Sequence, residues 1–231
     1  MCGLVEHGIA LPAAAGIVRA RRAELAGSTS NGSAGAGSVG IGDHVLALRR
    51  AGRWPSAGAA ASAEATVTAL VAAATRLDSD TAMEVVATGL AEHGVLVTWE
   101  QLCRPALDRL DDDVVGDQGC VDSQLLLGWV VATCLRRVPA AGGDRPVLLA
   151  CTPTEQHTLG LEALHAALAE RAIPARMLGA TVPLPAVLHA ADRLGPRAVV
   201  VWSQRRATAR PGVLRQLRAR HGTVLAAGPG L

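Results

Sequence analysis

The chain has 231 residues, a formal net charge of +2 and 18% charged residues, long enough for one large domain or two small ones to fold without disulfides. That balance carries no basic excess of the kind that binds nucleic acid by charge alone. Lys is absent, Arg taking its place throughout, a bias that points to no site. Five cysteines, Cys2, Cys103, Cys120, Cys134 and Cys151, form no Cys-x-x-Cys pair, so a reducing cytoplasm is the expected compartment. The longest apolar stretch, Leu125 to Leu135, falls short of the roughly 20 residues a membrane-spanning helix needs. The amino terminus lacks the basic lead of a signal peptide.

In chain order, residues 1–25 contain a short helix from Glu6 to Leu25, and residues 26–43, "AGSTSNGSAGAGSVGIGD", form a Gly/Ser linker. So short a leading segment cannot build its own core, and it is expected to be the remnant of a missing domain. Residues 44–140 have helical periodicity throughout, which predicts a bundle of four or five helices. Asp43 is placed to cap the first helix. Val67, Leu70, Val71 and Ala74 stripe the second, and Asp80 is placed to cap a third that stops at Gly94. Trp99, Leu102, Cys103, Ala106, Leu107 and Leu110 form another apolar face, with a kink expected at Pro105. Val121 to Val138 is apolar nearly all round and is expected to be the innermost helix.

Residues 144–231 change period. Short apolar runs at Val147 to Ala150, Ala175 to Gly179, Ala198 to Trp202 and Thr223 to Ala226 alternate with helix-like stretches, which predicts a parallel sheet with right-handed crossovers. The fold class expected is therefore α plus α/β, a helical bundle followed by a flavodoxin-like domain shortened at its C-terminal edge. In such sheets ligands bind beyond the carboxyl ends of the strands. Glu155, His157 and Gly160 follow the first run, Ser203 and Gln204 the third, and Gly228 and Gly230 the fourth, so three loops converge on one rim.

"EQHTLG", Glu155 to Gly160, resembles the Asp-x-His-x-x-Gly signature of cobalamin-binding domains. The resemblance implies that His157 ligates the cobalt of a base-off corrinoid from below. Glu155 would take the other ring N–H where the family often has Asp, and Gly160 would let the displaced nucleotide tail approach the backbone. Ser203-Gln204-Arg205 partly matches the family's Ser-x-Leu segment, and Gly228-Pro229-Gly230 its Gly-Gly segment.

The order of bundle and sheet domain looks like a methionine-synthase-type cap followed by a cobalamin domain. "TWEQLCRPALDRL", "GCVD", "CLRRV", "LGATVPLPAVLHA", "VVVWSQ" and "AAGPG" are similar to MerR-family bacterial transcriptional regulators that use this pair as a light or cobalamin sensor. "LVEHGIALPAAAGIVRARRAE" is similar to the closing helix of their DNA-binding domain, whose helix-turn-helix and wing are missing here. The resemblance implies cobalamin as cofactor, adenosylcobalamin or another corrinoid, held between bundle and sheet in a homo-oligomer. DNA would be reached only through a missing domain or a partner.

In the light sensors a Trp and a Glu-His pair cap the upper face of the cofactor. Those positions fall at Val114, and at Gln124 and Leu125, in this chain. Trp129, one turn further on, reads as core rather than cap. Two functions stay open on the residues: a cobalamin-sensing regulatory module, and a repurposed scaffold that binds another small molecule or a protein. A corrinoid-dependent enzyme finds no catalytic acid/base pair in the sequence.

Overall fold

The computed structural model describes residues 57–115 and 121–231; the expected amino-terminal helix, the linker and the Asp43-capped helix lie outside the described residues. The chain divides into two compact units with the boundary between Pro139 and Ala140.

The first unit holds four α-helices among the described residues, α1 (Ala57–Thr75), α2 (Ser79–Thr98), α3 (Arg104–Val115) and α4 (Val121–Arg136), with a π-helical turn at Trp99–Cys103. The cap of α2 is Asp78, whose carboxylate accepts the Thr81 N–H at 3.0 Å, and not Asp80, which sits in the first turn. Both are helix-initiating residue types, and the chain uses the one that leaves Thr81 at the third helical position. Gly94 breaks α2 as expected, with φ 75° and ψ 173°, and the helix resumes beyond it. The expected disturbance at Pro105 is a widening of the preceding turn: the Arg104 N–H reaches back to the Trp99 carbonyl. Proline has no N–H to continue the ordinary ladder, and a π turn accommodates that loss.

The predicted stripe of the third segment is buried at Leu102, Cys103, Ala106 and Leu110. Helix α4 departs from expectation. Ser123, Leu127, Val130, Val131, Cys134 and Leu135 are buried, but Val121, Leu125 and Trp129 are 54%, 68% and 55% exposed. Trp129 is therefore not core, and α4 is not the fully enclosed helix its composition suggested. Helices α1, α2 and α3 pack against it and cover one face, whereas apolar composition alone does not say how many neighbours a helix will have.

Among the described residues the second unit holds a four-stranded parallel sheet in the order β2-β1-β3-β4, built from β1 (Val147–Cys151), β2 (Ala175–Gly179), β3 (Ala198–Trp202) and β4 (Val224–Ala227). Helices α5 (Leu159–Glu170), α6 (Leu184–Leu194) and α7 (Pro211–Arg220) connect them. Every residue of β1 and β3 is buried, which is why these strands read as unbroken apolar runs. Leu148, Ala150, Val199 and Val201 meet Val187 and Ala191 of α6 and Leu217 of α7 in one core. With side chains alternating across the sheet, Val147, Leu149 and Val200 face the other way, and the fully buried Leu161, Leu164 and Leu168 of α5 belong to that layer.

Candidate functional site at the carboxyl rim

The chain leaves β1 for β2 on one side and enters β3 on the other, so the loops after β1 and β3 flank the crevice where an open parallel sheet binds ligands. Cys151 and Trp202 are paired in register at the ends of these strands, and the Thr152 N–H continues the ladder to the Trp202 carbonyl at 2.9 Å.

Glu155 is fully buried at this point and joins three loops. Its Oε1 accepts the backbone N–H of His157 at 2.8 Å and meets the ring Nδ1 at 2.6 Å. Its Oε2 accepts the Gln204 N–H at 2.8 Å, the Arg205 N–H at 3.3 Å and the Thr208 hydroxyl. The Glu155 carbonyl accepts the Thr181 N–H at 2.8 Å from a residue held at a left-handed φ of 49°, a strained backbone of the kind that collects at functional rims. Burial by itself pushes the Glu155 carboxyl up, but the Thr208 hydroxyl and the N–H groups of His157 and Gln204 outweigh it and bring the pKa down to about 2. The side chain is an ionised acceptor, so Nδ1 is the ring nitrogen of His157 that donates to it. The His157 side chain is 48% exposed.

Ser203, expected as a ligand contact, is fully buried. Its hydroxyl lies 2.9 Å from the Arg205 carbonyl and 2.8 Å from the Thr208 hydroxyl, bracing the turn over residues 203–208. Gly160 opens α5, where a Cβ would come within 3.0 Å of the Trp202 ring. Gly228, at φ 97°, backs onto the Ser203 carbonyl, and Gly230 onto the Arg205 backbone. Sequence reading missed Thr208 and Thr152, whose hydroxyl donates to the Thr208 carbonyl at 2.8 Å; nothing in "RRATARP" marks Thr208 as a partner of the first loop. It also passed over Trp202, although a bulky aromatic at a strand end just before Ser203 is a visible signal in a chain without Phe or Tyr.

Cys151 is buried beside this cluster, and burial, then the charges of Glu155 and Glu162, push its thiol up to about 12. It stays protonated and is no nucleophile. In the other unit, Val114 falls in the last turn of α3, while Gln124 is half-buried and Leu125 exposed on α4. That unit also carries a cavity of about 470 Å³, lined by Thr66, Glu84, Thr88, Glu92, His93 and Leu102, which includes none of the site residues expected from sequence. Among the described residues no group of three metal-ligating side chains gathers anywhere, and no helix is long and apolar enough to cross a membrane.

This order of helices followed by a flavodoxin-like parallel sheet has counterparts among solved structures. The chain is similar to the monomethylamine corrinoid protein of Methanosarcina barkeri, with a TM-score of 0.55 and 12% identity over 73% of this chain and 86% of that one. A cobalamin-binding protein of Desulfitobacterium hafniense matches at TM-score 0.36 and 14% identity, over 71% of this chain and 84% of that one. The methanol:cobalamin methyltransferase complex of Methanosarcina barkeri matches at 0.34 and 11%, over 86% and 90%. At 12% identity the likeness to the first of these concerns the fold alone. No protein-family model matches the sequence, and no curated protein does.

Proposed function

We propose that the sheet unit is a corrinoid-binding module, with His157 Nε2 as the lower cobalt ligand, and that it serves a corrinoid-responsive transcriptional regulator. The observation that carries this reading is the Glu155–His157 pair, in which a buried carboxylate holds Nδ1 at 2.6 Å and leaves Nε2 with no protein hydrogen bond among the described residues. An imidazole with one ring nitrogen anchored on a carboxylate in this way is the arrangement that orients histidine as a metal ligand. The likeness to the monomethylamine corrinoid protein supports the choice of ligand, as does the motif from Glu155 to Gly160. When bound, the corrinoid supplies a cobalt whose upper ligand can be exchanged or lost. The chain's own residues fix the ring tautomer, keep the His157 backbone rigid and tie the first, second and third loops together.

The regulatory part of the reading rests on the resemblance to MerR-family sensors. Ligand state would bias the association of copies of the chain, a population shift driven by differential affinity, with DNA reached through a partner or a further domain. A second reading, a scaffold turned to a protein partner, draws on the exposed Val121, Leu125 and Trp129, which recur at i, i+4 and i+8 on α4. The test is an absorbance titration in the dark with hydroxocobalamin, adenosylcobalamin and aquacobinamide. The wild type should retain a corrinoid through gel filtration with a shifted spectrum. His157→Ala should lose that shift and bind at least about 100-fold more weakly. Retention of none of the three by the wild type would overturn the corrinoid reading in favour of the second.

A further inference from the structure

Cobalamin carries a nucleotide tail whose terminal base coordinates cobalt on the lower face. A protein histidine that takes this coordination position releases the base on its own side of the ring, so the tail must lie along the residues around His157. Beside His157 the rim has an apolar slot between Gly160, at the start of α5, and Gly228, just after β4. The Trp202 indole fills it. A Cβ on Gly160 would come within 3.0 Å of ring carbons Cζ2 and Cη2, and a Cβ on Gly228 would lie 3.1 Å from Cδ2. The indole is 7% exposed, and a Cβ on Gly230 would lie 2.8 Å from the Arg205 nitrogen. The room left by each of the three glycines is therefore occupied by the chain itself. The buried indole N–H has no acceptor, so packing alone holds the ring in place.

We infer that Trp202 is a specificity-determining residue that closes this slot, and that the site takes a corrinoid without a nucleotide tail, a cobinamide, in preference to cobalamin. The inference rests on the reading of His157 as the cobalt ligand. With aquacobinamide, His157 would displace a water; with hydroxocobalamin it would instead displace the tethered base, and the space beside Gly160 and Gly228 is already taken by the indole.

The test compares the dissociation constants of aquacobinamide and hydroxocobalamin for the full chain, measured by absorbance and checked by gel filtration. The wild type should bind aquacobinamide at least 10-fold more tightly. Trp202→Phe should keep that preference, because it retains an aromatic filler and removes the unpaired donor. Trp202→Ala should narrow or reverse the preference by opening the slot, and Trp202→Leu should move it the same way if the alanine variant does not fold. Equal or tighter binding of hydroxocobalamin by the wild type overturns the inference while leaving His157 as ligand. A preference that survives both Trp202→Ala and Trp202→Leu removes Trp202 from the explanation. If neither corrinoid is retained by the wild type, the His157 reading falls and the inference with it.

Discussion

Glu155→Ala should melt the sheet unit more than ~10 °C below the wild type, a destabilisation of about 3–5 kcal/mol. The substitution strips the acceptor from the backbone N–H groups of His157, Gln204 and Arg205 and from the Thr208 hydroxyl at once, and each buried donor left unpaired costs about 1–3 kcal/mol before water relieves part of it. Corrinoid retention should fall with stability, since the His157 ring loses the partner that fixes its tautomer. Glu155→Gln is expected to be intermediate: its amide oxygen still accepts, while its NH2 confronts donors. Thermal melts and urea titrations of the three proteins check this order.

The same carboxylate sets an acid limit. Its folded pKa of about 2 lies below the ordinary 4.5, so its contribution to stability is fully present above pH 4.5, declines as the pH falls from there, and is gone below about 2. The urea midpoint of the wild type should therefore fall across this window more steeply than that of Glu155→Gln, which has no proton to take up at that position. Parallel slopes for the two proteins would mean that the carboxylate is not held ionised by its donors.

Gly228→Ala is the second large effect. At φ 97° an L side chain is strained, and the new Cβ would press on the Ser203 carbonyl, a backbone atom fixed in the turn that supplies Gln204 and Arg205 to Glu155. The two costs together come to about 3 kcal/mol or more, again more than ~10 °C for a unit of this size. Gly142→Ala is the matched control, because a Cβ there meets nothing within 4 Å and the backbone is not left-handed. Its melting temperature should stay within ~2 °C of the wild type. A small effect at Gly228 would show that the turn after β3 yields easily, and the rim would then be a poor candidate for a preorganised site.

The alternation of short apolar runs with amphipathic stretches determined the sheet unit, because a strand buried on both faces needs an unbroken apolar run and the strands observed lie within a residue of those read from the sequence. The Glu155–His157 pairing was legible for a similar local reason: two residues of spacing in a loop bring a carboxylate and an imidazole together without help from elsewhere in the chain. Sequence did not decide the surroundings of that pair. Thr208 reaches Glu155 across 53 positions, and Trp202 meets Gly160 through the register of β3 against β1 and the start of α5. The resemblance implied a close approach at Gly160; only the packed fold shows that the Trp202 ring lies against it. The exposure of Leu125 and Trp129 on α4 has the same origin. An apolar residue states a preference for burial, but the number and placement of neighbouring helices determine whether that preference is met.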